Sequence, residues 1–216
     1  MTTATEQIRD LILKHQDIDQ LGTLTTSFLH ALTTAQHGLG AIYHPLGFIY
    51  VPMLKDDSGM LRLHLWLDGG TPEDITTSPY HMHTWNLTSY VHCGSLENQM
   101  IKTDADGPLG PYRVFEIVGD RQRGELRATS EEVYARIDSV EKVTAGHVYH
   151  IPAGQYHTTI NTSQGDLVTV AYVQKVPGTM ERNLGPLDTP THVVERQPCP
   201  PEDVARAART VLARLG

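Results

Sequence analysis

The stretch Pro79-Tyr80-His81-Met82-His83-Thr84-Trp85 decides how the rest of this chain is read, and Gly146-His147-Val148-Tyr149-His150-Ile151-Pro152-Ala153-Gly154-Gln155-Tyr156-His157 answers it much later. Side chains alternate faces along a strand, so His81 and His83, one residue apart, point to the same side and can grip one ion between them. A third imidazole is needed to hold that ion, and His157 is the candidate. Five residues separate Gly146 from Pro152, one separates Pro152 from Gly154, two lie before His157 and three before Asn161.

Working outward, the strand of the first histidine pair is expected to run on through Leu87-Thr88-Ser89-Tyr90-Val91 and to end at Gly94. No carboxylate occurs between Thr84 and Cys93, so nothing here adds an acidic ligand to the histidines. Just upstream, Leu61-Arg62-Leu63-His64-Leu65-Trp66-Leu67 alternates cleanly, leucines on one face and Arg62, His64 and Trp66 on the other. If the leucines pack outward, Arg62 and His64 line the metal cavity; the other reading leaves them as a wet face.

The earlier part reads as helical. Thr3 and Glu6 have the spacing of a capping box ahead of Ile8, Leu11 and Ile12. A second helix is expected from Thr26 to Ala35, with Phe28, Leu29 and Leu32 as its apolar face. His15, His30 and His37 lie in or beside these helices in solvated or capping roles. The helices are expected against the outside of a barrel or across a homodimer partner. From Ala41 the pattern becomes strand-like, with Pro52 marking an edge or bulge in 48–54 and a turn at 56–59. A loop follows at 69–74. Strands are expected at 96–102, 112–118, 125–142 and 166–174, with 104–111 as a loop and 177–190 as irregular chain. Pro201, Glu202 and Asp203 suit the start of a terminal helix.

Composition bounds the function. The chain has 216 residues, 17 basic against 25 acidic, and a net charge of −8. One domain is the default at this length. There is no basic stripe for nucleic acid, no apolar run of membrane-spanning length, and no secretory signal at the N-terminus. Two cysteines, Cys93 and Cys199, fit a reduced, cytoplasmic protein.

The His81-x-His83 pair with Gly94, followed by the Gly146-to-Asn161 ladder, resembles the two-motif pattern of the cupin superfamily. The resemblance implies a mainly β fold, a single antiparallel β-barrel of jelly-roll type, with N-terminal helices at 1–40, the barrel at 41–176, and a tail with a C-terminal helix at 177–216. It also implies one metal shared by His81, His83 and His157. Many cupins add a glutamate four or five residues after the second histidine; Leu87 and Thr88 stand there instead. Cupins with three histidines and no glutamate look like the thiol dioxygenase group, whose early-strand arginine, here Arg62, holds a substrate carboxylate. That group's cysteine-oxidising members carry Ser-His-Tyr on the strand after the third ligand. Here the positions are Val170, Tyr172 and Gln174, leaving Tyr172 as a catalytic candidate beside His64.

Neutral imidazoles suit Fe, Zn, Ni or Cu, and three protein ligands leave coordination positions open. The expected function is therefore a mononuclear Fe(II) oxygenase that oxidises a small anionic organic substrate with O2. The alternatives are a Zn or Ni cupin acting as an isomerase, lyase or dehydratase, and a non-catalytic metal- or ligand-binding cupin.

Overall fold

The computed structural model describes residues 2–36, 38–70, 78–120 and 123–215. His37 and residues 71–74 of the expected loop lie outside them. Among the described residues three helices, α1 (Ala4–Lys14), α2 (Ile18–Leu32) and α3 (Pro201–Leu215), flank thirteen strands. The strands are β1 (Ile42–His44), β2 (Phe48–Lys55), β3 (Met60–Trp66), β4 (His81–Met82), β5 (Trp85–Cys93), β6 (Ser95–Asp104), β7 (Leu109–Gly119), β8 (Arg123–Thr144), β9 (Val148–Ile151), β10 (Tyr156–Asn161), β11 (Leu167–Lys175), β12 (Arg182–Gly185) and β13 (His192–Glu195).

Thr3 caps α1 in the expected capping box with Glu6. The second helix begins eight residues before its expected start, at Ile18 rather than Thr26, because the Asp17 side chain accepts from the Gln20 N–H and caps it there. It ends at Leu32. None of the described helices is long and apolar enough to cross a membrane.

Two antiparallel sheets face each other. The first runs β1-β2-β3-β11-β5-β9 and the second β13-β8-β6-β10-β4-β12-β7. In the second sheet β7 also pairs with β8, so the sheet curls onto itself around Ile101, Val114, Ala135 and Leu184. Pro52 sits where the β2–β3 register shifts, as a bulge. The stretch 177–190, expected to be irregular, contains β12, which pairs with both β4 and β7. The expected barrel boundary at 176 therefore moves outward, since β12 and β13 both belong to the second sheet.

The outer face of the first sheet carries the largest apolar cluster. Leu61, Leu63 and Leu65 of β3 and Val168, Val170 and Tyr172 of β11 pack against Ile8 and Ile12 of α1, Leu29 of α2 and Val204 and Val211 of α3. All three β3 leucines are fully buried. Burying each such side chain contributes on the order of 1.5–3 kcal/mol. Because the leucines are committed to the helices, strand alternation turns Arg62, His64 and Trp66 towards the space between the sheets.

Candidate metal centre

The two-histidine motif is not one continuous strand. It breaks after Met82: β4 belongs to the second sheet, whereas β5 belongs to the first. The motif thus crosses from one sheet to the other, with His83 in the crossing. The turn of the second motif holds it there, because the Gly154 N–H donates to the His83 carbonyl at 2.9 Å. Gly154 has φ +76°, which glycine adopts without strain. Opposite, β10 pairs with β4 so that His157 lies directly across from His81.

This register brings the three imidazoles together. Ring centroids are 4.7 Å apart for His81 and His83, 4.5 Å for His81 and His157, and 5.1 Å for His83 and His157. One ligand atom from each lies within 4.8 Å of the others. His81 Nδ1 donates to the Pro79 carbonyl at 2.6 Å and His157 Nδ1 to the Gln155 carbonyl at 2.9 Å. Both carbonyls lie two residues before their histidine, and each fixes the tautomer that leaves Nε2 with its lone pair free. His83 has no such anchor; its Nδ1 is buried without a partner, and its ring stacks on Trp85 at 4.5 Å and 14°. Burial holds all three below the ordinary histidine range, His157 at about 3 with a further push from His81. They are neutral at pH 7, the form that binds metal. Three neutral imidazoles, two of them with the tautomer fixed, fit a divalent transition ion.

The histidines line a cavity of about 440 Å³ between the sheets. Arg62 and His64 line the same cavity. The Arg62 guanidinium lies 5.7 Å from the Tyr50 ring and 5.4 Å from the Trp85 ring, both in range of cation–π attraction. Burial lowers its pKa, partly offset by Tyr50 and Glu181. His64 is held by Thr169, whose hydroxyl is 3.2 Å from Nδ1, and its Nε2 is buried without a partner. Burial and the nearby Arg62 keep it neutral.

Tyr172 is not brought to this cavity. In the β3–β11 register it pairs with Leu61 and shares that leucine's outward face. Its hydroxyl donates to Asp56 at 3.0 Å and meets Ser58 at 2.6 Å. The same Asp56 carboxylate receives Arg9 of α1 at 2.8 Å. Tyr172 therefore fastens a helix to a turn, and the expectation of a catalytic tyrosine is corrected by strand parity. Leu87 faces the cavity, whereas Thr88 points the other way and meets His150 Nδ1 at 3.2 Å. Tyr156 packs into the core of the curled sheet. His92 lies outside the cavity, its Nε2 3.4 Å from Thr26 of α2.

The cavity also contains residues that the sequence did not single out. Trp85 was legible, being two residues past His83. Tyr50 pairs with His64 across β2 and β3 and could have been found once those strands were paired. His44, whose Nδ1 accepts from the Leu46 N–H at 3.2 Å, and Glu181 gave no signal. Glu181 sits in the stretch expected to be irregular, and burial pushes its carboxyl up against the pull of Arg196 and Arg62.

No family model matches the chain. No curated protein matches it either. Among solved structures it is similar to a cupin domain from Bordetella pertussis, at 17% identity over 60% of this chain and 95% of that one, with a TM-score of 0.34. It is similar to Fe(II) HppE at 11% identity, TM-score 0.33, over 59% of this chain; the match spans half of the HppE chain. It is also similar to the hydroquinone 1,2-dioxygenase PnpCD, solved with Cd2+ and 4-hydroxybenzonitrile, at 16% identity, TM-score 0.33, over 57% of this chain and 62% of that one. These likenesses are weak. What the chain's own fold and site define is a mainly β, two-sheet protein with a three-histidine cluster placed to hold a metal ion.

Proposed function

We propose that this protein is a mononuclear non-haem iron oxygenase acting on a small anionic organic substrate. The observation that carries the reading is the neutral three-histidine cluster, His81, His83 and His157, set in the wall of a cavity that also holds the guanidinium of Arg62. Ferrous iron held there would supply the electron transfer to dioxygen that no side chain can provide. The chain's own residues do the rest. Arg62 binds the anionic group with paired, charge-assisted hydrogen bonds. The aromatic rings of the wall exclude water and fix the orientation of the substrate. His64, neutral and with a free Nε2, accepts or returns a proton at that atom.

The test combines metal analysis with oxygen uptake. Protein loaded with Fe(II) is expected to consume O2 only when substrate is present. Turnover that persists unchanged under strict anaerobiosis with Zn or Ni bound would instead assign Lewis-acid chemistry. His157→Ala is expected to empty the site of metal as fully as His81→Ala; full occupancy in the His157 variant would remove it from the ligand set.

A further inference from the structure

Two of the three ligand rings are aimed by hydrogen bonds, and the third is not. His81 and His157 each donate from Nδ1 to the carbonyl two residues earlier, Pro79 at 2.6 Å and Gln155 at 2.9 Å. The backbone of His83 is held by the Gly154 N–H at 2.9 Å, but its ring Nδ1 is buried without a partner. Holding the backbone leaves the side-chain torsions free. What the His83 ring meets face to face is the indole of Trp85, at 4.5 Å between centroids and 14° from parallel. Its neighbours His81 and His157 stand edge-on to it, at 66° and 63°.

The sheets account for the difference. His81 on β4 and His157 on β10 lie across from each other in the second sheet. His83 comes just past the end of β4, where the chain leaves that sheet. Trp85 opens β5 in the first sheet, and its backbone is fixed there. It pairs with Lys175 of β11, and the adjacent Thr84 carbonyl accepts from the Val176 N–H at 2.8 Å. The indole packs against the apolar cluster that contains Leu87 and Val173. The Arg62 guanidinium lies 5.4 Å from it, within range of cation–π attraction. The indole is therefore a fixed platform. A stacked ring cannot tilt without losing its face contact, and tilt decides whether its lone pair lies in line with an ion. Stacking thus does for His83 what a hydrogen-bonded carbonyl does for the other two ligands. It is the softer restraint, because a hydrogen bond is directional whereas offset faces can slide.

We propose that Trp85 is a positioning residue of the metal centre: its indole aims His83, which is the adjustable ligand of the three. This rests on the three-histidine metal reading of the proposed function, but on neither iron, oxygen nor a substrate.

Metal-free protein is titrated with Zn(II) and with Co(II) in competition with a chromophoric chelator, and chemical denaturation of the metal-free protein follows its stability. Trp85→Leu should bind Zn(II) roughly tenfold or more weakly, the usual effect of losing a group that orients a ligand. Its visible Co(II) bands, which follow the number and arrangement of ligands, should differ from those of the parent. Trp85→Phe restores a ring face and should bind Zn(II) within about threefold of the parent, with the parent's Co(II) bands. Unaltered affinity and unaltered bands in Trp85→Leu overturn the proposal, and so does an equal loss in Trp85→Phe. Should the leucine variant fail to fold, NMR of the Zn(II)-loaded parent decides. The ring carbon-bound protons of His83 should be shifted upfield by the indole ring current, and those of His81 and His157 should not. Absence of that shift means that the stack does not exist, which overturns the proposal. All of these failures leave the three-histidine reading standing. Parent protein that takes up neither ion, or His83→Ala protein that keeps the parent's affinity, would instead defeat that reading and this proposal together.

Discussion

Strand β3 has two faces that differ in every respect that matters. Leu61, Leu63 and Leu65 meet the helices in a continuous, fully buried apolar cluster. Arg62, His64 and Trp66, alternating with them on the same seven residues, line a cavity where polar atoms are left unpartnered. One face is already complete and contributes stability. The other leaves Arg62 Nε and His64 Nε2 buried without a partner among the described residues. The contrast shows how a single strand can anchor the fold and build the site at once, because period-2 alternation separates the two tasks residue by residue.

The largest expected effect tests the apolar face. Leu63→Ala should destabilise the protein by about 2–5 kcal/mol, measured by chemical denaturation. Arg62→Met, on the other face, should not lower the stability of the metal-free protein, since replacing a buried charge by an apolar side chain is often neutral or stabilising. Equal losses in the two variants would erase the distinction between the faces.

Next comes the cavity face in function. Arg62→Lys should weaken substrate binding by about 2–3 kcal/mol, or roughly 30- to 150-fold, since lysine cannot form the planar paired contact. The rise should appear in KM with metal content unchanged. An unchanged KM would mean that the guanidinium does not meet the substrate.

A smaller effect concerns pH. Burial lowers His44 and His64 well below the usual histidine range, so in the folded protein they stay neutral where the unfolded chain takes up protons. The unfolded state then binds more protons, and stability falls as pH drops below about 6.5, the unfolded histidine value. Each group adds at most about 1.4 kcal/mol per pH unit to that slope. His64→Gln should flatten the slope between pH 6.5 and 5 in the metal-free protein; an unaltered slope would mean that His64 is protonated in the fold.

The smallest effect sharpens the assignment of Tyr172. Tyr172→Phe should cost about 0.5–1.5 kcal/mol through the lost bond to Asp56, with kcat unchanged. A fall in kcat at intact stability would return the tyrosine to the chemistry.

Much of this was legible beforehand where the signal is local. The capping box at Thr3 and Glu6, the leucine alternation of 61–67 and the glycine and proline spacings around His157 all act within a few residues, and each reappears in the structure. What failed was non-local or a matter of parity. Tyr172 was carried over by its position in a motif, yet which face it takes depends on the β3–β11 register, and one residue of register flips every side chain on the strand. The strands β12 and β13 were missed because four-residue strands have too few positions to show a period. Glu181 was missed with them.

By itself, the sequence determined that three histidines are available at spacings suited to one ion, that no carboxylate accompanies the first pair, and that β3 separates an apolar face from a polar one. These are properties of neighbours along a chain, and alternation is enough to read them. Only the tertiary structure decided which face of β3 turns inward, that the first motif crosses between sheets, that Tyr172 faces the helices, and that His44, Trp85 and Glu181 share the cavity with Arg62. Those outcomes depend on strand pairing and on where the helices pack, and both are set by apolar burial summed over the whole molecule.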